Sequence, residues 1–101
     1  MGTYRTRDFE AALVRIGFRQ DMTHHQMFWY YDGERKSSLH TRTSHGEKEF
    51  DDSMLALRRR QIGNLSKPQM LELLAGTLTA EQFREHLVAQ GILPESASSA
   101  D

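Results

Sequence analysis

Apolar residues recur along this chain in two rhythms. In TRDFEAALVRIGF, Phe9, Ala12, Leu13 and Ile16 keep the i, i+3, i+4, i+7 spacing of a helix with one buried face. Thr6 stands where a hydroxyl can cap the first turn, and Asp8 where the helix dipole favours an anion. Gly17 can take the left-handed conformation that closes such a helix, so that Phe18 turns back onto it. Phe18 to Asp21 then predicts a short strand. Met22 to His24 predicts a connection, and the aromatic run His25 to Tyr31 a second strand. Asp32-Gly33 is a hairpin signal, because a type I′ turn needs positive φ at both central positions. The Ser- and Thr-rich stretch Arg35 to Thr43 completes a three-stranded antiparallel meander.

The helical rhythm returns after SHGEKEFDD, which reads as a loop. Ser53 to Ile62 predicts a helix with Met54, Leu55, Leu57 and Ile62 as its apolar positions, stopped at Gly63-Asn64. In SKPQ, Ser66 and Gln69 form a capping box, with Pro68 in the first turn, and this helix ends near Gly76. TAEQ repeats the device with Thr79 and Gln82. The helix it opens buries Phe83, Leu87 and Val88, and Gly91 closes it. PESASSAD is polar and led by Pro94, the composition of a disordered tail over 94–101. The fold class is therefore α+β: helix, three-stranded antiparallel sheet, helix, then a helical extension of two helices from about residue 65, all in one domain over 1–93.

Composition narrows the chemistry. A chain of 101 residues suits one domain with a modest core. It has no cysteine, which excludes disulfides and thiolate metal sites. Its start, MGTYRTRDFE, carries no hydrophobic signal region, and no apolar run reaches membrane length, so a cytoplasmic protein without a membrane partner is expected. The net charge is -1, from 13 basic and 14 acidic residues, less basic than a dedicated nucleic-acid binder. Cations nevertheless cluster locally. Arg35 and Lys36, and Arg58 and Arg59 beside Arg60, are candidate RNA contacts if they do not simply belong to a solvated mixed-charge surface.

The histidines carry the sharper question. His24 and His25 stand at the mouth of the aromatic strand. A two-residue hairpin loop at Asp32-Gly33 would set His25 opposite His40, where side chains share a face and touch. A four-residue loop would set it opposite Arg42, and a three-residue loop opposite Thr41; a bulge would alter all three. Histidine titrates near neutrality and can take and return a proton. RNA rewards that chemistry, because a base that deprotonates the 2′-hydroxyl lets it attack the adjacent phosphorus. An Arg or a second His can then stabilise charge on the phosphate oxygens, with no metal or cofactor required. A metal site is the rival chemical reading, but adjacent His24 and His25 would point to opposite faces of a strand. The bland reading is that these are surface strand histidines. His45, in SHG where the chain leaves the sheet, either lines the same surface or sits in a loop. His86 has no assigned role. Of Phe28, Trp29, Tyr30 and Tyr31, alternate members must face the core, and the others could stack on unpaired bases.

This order of elements, with a histidine at the entry to the second strand, resembles the HicA family of toxin ribonucleases from bacterial toxin–antitoxin pairs. That family's fold is similar to double-stranded-RNA-binding domains. Its active histidine usually follows Gly-Ser and precedes an aromatic residue by three positions. His25 with Phe28 fits that spacing; His24 with Met27 fits less well, although Thr23 resembles the family serine. TRTSHGEKEFDD looks like the His- and Gly-containing turn that ends the family's third strand, and it brings in His45. The resemblance covers roughly Thr6 to Gly63. The chain departs from it in having Thr23-His24 for Gly-Ser, in its slight acidity, and in the helices from Ser66 to Ile92, which look like the tail of longer relatives grouped with HicA. The resemblance implies an mRNA interferase with His25 as catalytic base, His24, His40, Arg42 or His45 in support, and a HicB-like antitoxin as partner. A non-catalytic module that binds RNA or protein is the alternative.

Overall fold

A computed structural model describes residues 2–94, so the expected polar tail falls, apart from Pro94, outside the described residues. Five strands and four helices follow one another as β1 (Thr3–Arg5), α1 (Thr6–Arg15), β2 (Phe18–Gln20), β3 (Met27–Asp32), β4 (Arg35–Arg42), β5 (Glu49–Asp51), α2 (Asp52–Gln61), α3 (Lys67–Ala75) and α4 (Ala80–Ala89). The α+β class and the antiparallel β2-β3-β4 meander stand as the residue pattern predicts. Strands β1 and β5 do not; they form a separate two-stranded antiparallel sheet, with Tyr4 opposite Phe50, inside a stretch that reads as terminus and loop. Its ladder continues through the Thr6 amide, which donates to the Lys48 carbonyl at 2.9 Å. Thr6 therefore does not cap α1. Arg5 holds the cap position without a side-chain bond, and Thr6 is buried.

The apolar stripe of α1 is the floor of the core: Phe9, Ala12, Leu13 and Ile16 are all buried. Phe18, Phe28 and Tyr30 face it from the meander, as alternation along a half-buried strand requires. The C-terminal helices share this core rather than sit beside it. Met70, Leu73, Phe83 and Leu87 belong to the same buried cluster. The Phe83 ring lies 5.8 Å from that of Phe18 and 5.4 Å from that of Tyr30. Arg84 clamps Asp32 near the hairpin tip, Nε to Oδ1 at 2.9 Å and Nη2 to Oδ2 at 3.2 Å. Both capping boxes form, Ser66 with Gln69 and Thr79 with Gln82.

Helix α2 starts at an Asp51 cap and buries Leu55 and Arg58, while Leu57 is exposed. Leu55, Arg58 and Ile62 keep helical spacing, so a charged residue occupies an inward position. Arg58 is accordingly no surface cation. It is 2% exposed and grips Glu47 through both terminal nitrogens, at 3.0 and 2.9 Å. Its guanidinium also lies over the Phe50 and Phe9 rings, 4.6 and 5.4 Å from their centroids. Arg59 is half-buried and donates to the Leu65 carbonyl at 2.9 Å.

Near the turn the meander takes the register expected of a four-residue loop, with Tyr31 opposite Lys36, although the loop itself is shorter. Asp32 pairs with Arg35 and Tyr31 with Lys36, leaving Gly33 and Glu34 as the turn, with Gly33 alone at positive φ (66°). That is the glycine-first pattern of a type II′ turn. Continued regularly, this register would bring Arg42 opposite His25. A bulge intervenes: Trp29 pairs with His40, so Tyr30 faces the three residues Ser37, Ser38 and Leu39. The Tyr30 carbonyl stranded by the bulge accepts from the Ser37 hydroxyl at 2.8 Å, and that oxygen accepts from the Leu39 amide at 3.1 Å. Arg42 then lies opposite Met27, Thr41 opposite Phe28, and His25 precedes the strand altogether.

Candidate active site at the end of the sheet

Three chain segments converge where β2 ends, β3 begins and β4 ends. The Thr43 amide donates to the Gln26 carbonyl at 2.9 Å, which ties the segment leaving β4 to the turn before β3. That turn is shaped by Asp21. One carboxylate oxygen accepts from the Thr23 and His24 amides at 2.7 and 2.9 Å, and the other from the Trp29 indole at 3.1 Å. The bonds from His24 and Thr23 hold the Asp21 carboxyl below its ordinary range. The turn closes when the Met27 amide donates to the His24 carbonyl at 2.9 Å, and Gln20 donates to the His25 carbonyl at 2.7 Å.

The result is an open hollow of about 630 Å³, lined by both His25 and His45 together with Arg5, Arg7, Lys48 and Gln26. The two imidazoles differ in how they are held. Gln26 donates to His45 Nδ1 at 2.9 Å, so the neutral ring carries its proton on Nε2. Among the described residues no hydrogen bond holds the exposed His25 ring. Two of the hollow's carboxylates are engaged. Glu10 accepts from the Thr43 hydroxyl at 2.6 Å. Glu47 is gripped by Arg58 and also accepts from the Ser44 amide at 2.9 Å; these bonds, Arg58 first, hold its carboxyl below the ordinary range. The buried pair thus fixes the loop that carries His45.

Other residues singled out from sequence lie elsewhere. His24 is exposed outside the hollow lining. His40 stacks on Trp29 on the outer face of the sheet, ring centroids 4.4 Å apart, and does not meet His25. Arg42 is on that face too, while Lys36 lies over the Trp29 ring at 4.3 Å. Arg35 is exposed beside the hairpin, near Arg84 and Pro94. Arg5, Arg7, Lys48, Gln26 and Glu47 have no sequence motif to mark them; Gln26 comes in through its backbone bond from Thr43, and the others through the β1–β5 pairing and the Arg58–Glu47 bridge. Among the described residues, no three His, Asp or Glu side chains gather as a metal cage requires. No helix among them is long and apolar enough to cross a membrane. No family model matches the chain, and neither a curated protein nor a solved structure matches it.

Proposed function

We propose that this protein is a metal-independent endoribonuclease, a HicA-like mRNA interferase toxin with a fold of the double-stranded-RNA-binding type. The observation that carries the reading is the convergence of His25 and His45 on one open hollow with Arg5, Arg7 and Lys48 around it. His25, unencumbered, takes the proton of an RNA 2′-hydroxyl. The 2′-oxygen attacks the adjacent phosphorus, the bond to the 5′-oxygen breaks, and a 2′,3′-cyclic phosphate forms. His45, fixed by Gln26, presents its Nε2–H to a phosphate oxygen, and the neighbouring cations stabilise the developing charge. In so open a hollow the leaving oxygen takes its proton from water. His45 and these cations replace the support first expected from His40 and Arg42. A HicB-like antitoxin is the partner this reading implies, seated over the hollow.

The test is cleavage of a long single-stranded transcript in EDTA by wild type, His25→Ala, His45→Ala and His24→Ala, each checked for fold by circular dichroism. Wild type and His24→Ala should cut, leaving cyclic-phosphate ends. His25→Ala should be slower by about 100-fold or more. Equal cutting by His25→Ala, or an intact transcript with wild type, overturns the reading. The intact transcript would leave the other class, a module that binds RNA or protein without cutting.

A further inference from the structure

Among the described residues no helix covers the outer face of the meander, and its chemistry is not that of an ordinary solvated sheet. Alternation sends Met27, Trp29 and Tyr31 outward from β3, while Phe28 and Tyr30 enter the core. Arg19 of β2 stands opposite Trp29, and Arg42, His40 and Lys36 of β4 stand opposite Met27, Trp29 and Tyr31. Each outward ring is overlaid by a cation: Arg19 lies 4.1 Å from the Tyr31 centroid and Lys36 4.3 Å from that of Trp29. The acids on this side are already engaged. Asp21 accepts from Trp29 and two amides, and Glu34, almost fully exposed, lies 3.5 Å from Arg19.

We infer that this face binds single-stranded RNA, with unpaired bases stacked on Trp29 and Tyr31 and phosphates held by Arg19, Lys36 and Arg42. The inference rests on the ribonuclease reading for its choice of RNA and adds the surface that guides the strand to the hollow. Two aromatic residues two positions apart on a central strand, flanked by cations, form a stacking platform that tolerates any base. An exposed cation–π contact is weaker than a base–aromatic stack. A base arriving on Tyr31 therefore displaces Arg19, one arriving on Trp29 displaces Lys36 or takes the place of the stacked His40, and the freed cation is long enough to meet the strand's phosphate. Positive charge laid over two outward rings complements a polyanion of flat bases better than it does an apolar protein surface. The platform also leads somewhere. Met27 and Arg42 sit at its lower end, each next in sequence to a residue lining the hollow, Gln26 and Thr43. A strand lying along β3 from Tyr31 toward Met27 arrives at His25.

Trp29 is the sole tryptophan, so its fluorescence reports the platform directly. The probe is oligouridylate, titrated into His25→Ala protein so that it stays intact, with a duplex RNA as comparison. Oligouridylate should quench Trp29, and the duplex should not. In the same background, Lys36→Gln with Arg42→Gln should flatten the salt dependence of binding, since fewer phosphates are neutralised. Tyr31→Leu should weaken oligouridylate binding about tenfold. With His25 present, Tyr31→Leu should raise KM for cleavage and leave kcat unchanged. Binding without quenching, or unchanged affinity in Tyr31→Leu and in the double glutamine variant, overturns the inference even where cleavage is normal. Quenching without any cleavage by wild type supports it while the ribonuclease reading fails. No RNA binding at all overturns both.

Discussion

The hollow and the helical pair α3–α4 are held in place by different physics. Around the hollow, loops are fixed by polar bonds between residues distant in sequence: Arg58 to Glu47, Thr43 to Glu10, Tyr4 to Asp52 at 2.6 Å. The helical pair is framed by bonds spanning three residues, Ser66 with Gln69 and Thr79 with Gln82, and is then pressed onto the sheet mainly by apolar side chains, with the Arg84–Asp32 clamp added at the hairpin tip. Local caps set where a helix begins whatever surrounds it. Long-range polar bonds set a loop only once the rest of the fold exists. A site built the second way places its side chains accurately but depends on charges staying paired.

The largest effect should come from cutting the link between the two regions. Phe83 is fully buried and its ring touches those of both Phe18 and Tyr30. Phe83→Ala should destabilise the whole chain by about 3–5 kcal/mol, as large-to-small core changes do. Urea unfolding followed by Trp29 fluorescence and by far-UV circular dichroism should stay coincident. A separate early loss of helix signal, with the Trp29 transition unmoved, would show that α3–α4 is an independent appendage and break the comparison.

Next comes the buried bridge. Arg58→Ala leaves Glu47 without its cation in a mostly buried position, which should cost about 3 kcal/mol. Pairing Arg58→Met with Glu47→Gln should recover much of that, because no charge is then stranded. The bridge also predicts a pH dependence. Arg58 lowers the folded-state pKa of Glu47 beneath its ordinary 4.5, so the unfolded chain binds the proton more readily. Its contribution is complete above the ordinary value and is lost as pH falls through the lowered one. Acid titration of stability should therefore be flatter in the double variant than in wild type; an equally steep curve would remove the bridge from the account of the loop.

What the sequence disclosed follows the same division. The α1 stripe and both capping boxes are local patterns, and Phe9, Leu13, Ser66 and Thr79 stand where spacing alone puts them. The meander was legible as three strands, but its register was not, because nothing local to Ser37–Leu39 announces that these residues bulge. The turn at Gly33-Glu34 moves His40 away from the position opposite His25, and the bulge then moves Arg42 away from it. Arg58 looked like a surface cation in a run of three arginines. Its burial depends on Glu47, eleven positions away, and on two aromatic rings from other elements. His25 was legible as the residue at strand entry. That it shares a hollow with His45 was open from sequence, because this depends on the Thr43–Gln26 backbone bond. His86, to which sequence gave no role, holds the α2–α3 junction: its Nε2 donates to the Gly63 carbonyl at 2.6 Å, and Gly63 supplies a φ of 110° there, with a Leu87 methyl 2.6 Å from where a Cβ would stand.

The smallest predicted effect gives the most direct reading of how local the helical frame is. In each box the cap hydroxyl accepts from an amide three residues on, Ser66 from Gln69 at 3.2 Å and Thr79 from Gln82 at 3.0 Å. Replacing either hydroxyl by alanine removes one partner from the first-turn amides and should cost about 1 kcal/mol. The two sites share no hydrogen bond, so Ser66→Ala and Thr79→Ala should add in the double variant. The glycine versions should cost less than alanine, because glycine at a cap leaves those amides open to water. None of the three should alter cleavage in EDTA, since neither cap touches the hollow. A double variant costing several times the sum of the singles would show that the caps brace each other through the shared core, and the helical pair would then be held as the hollow is.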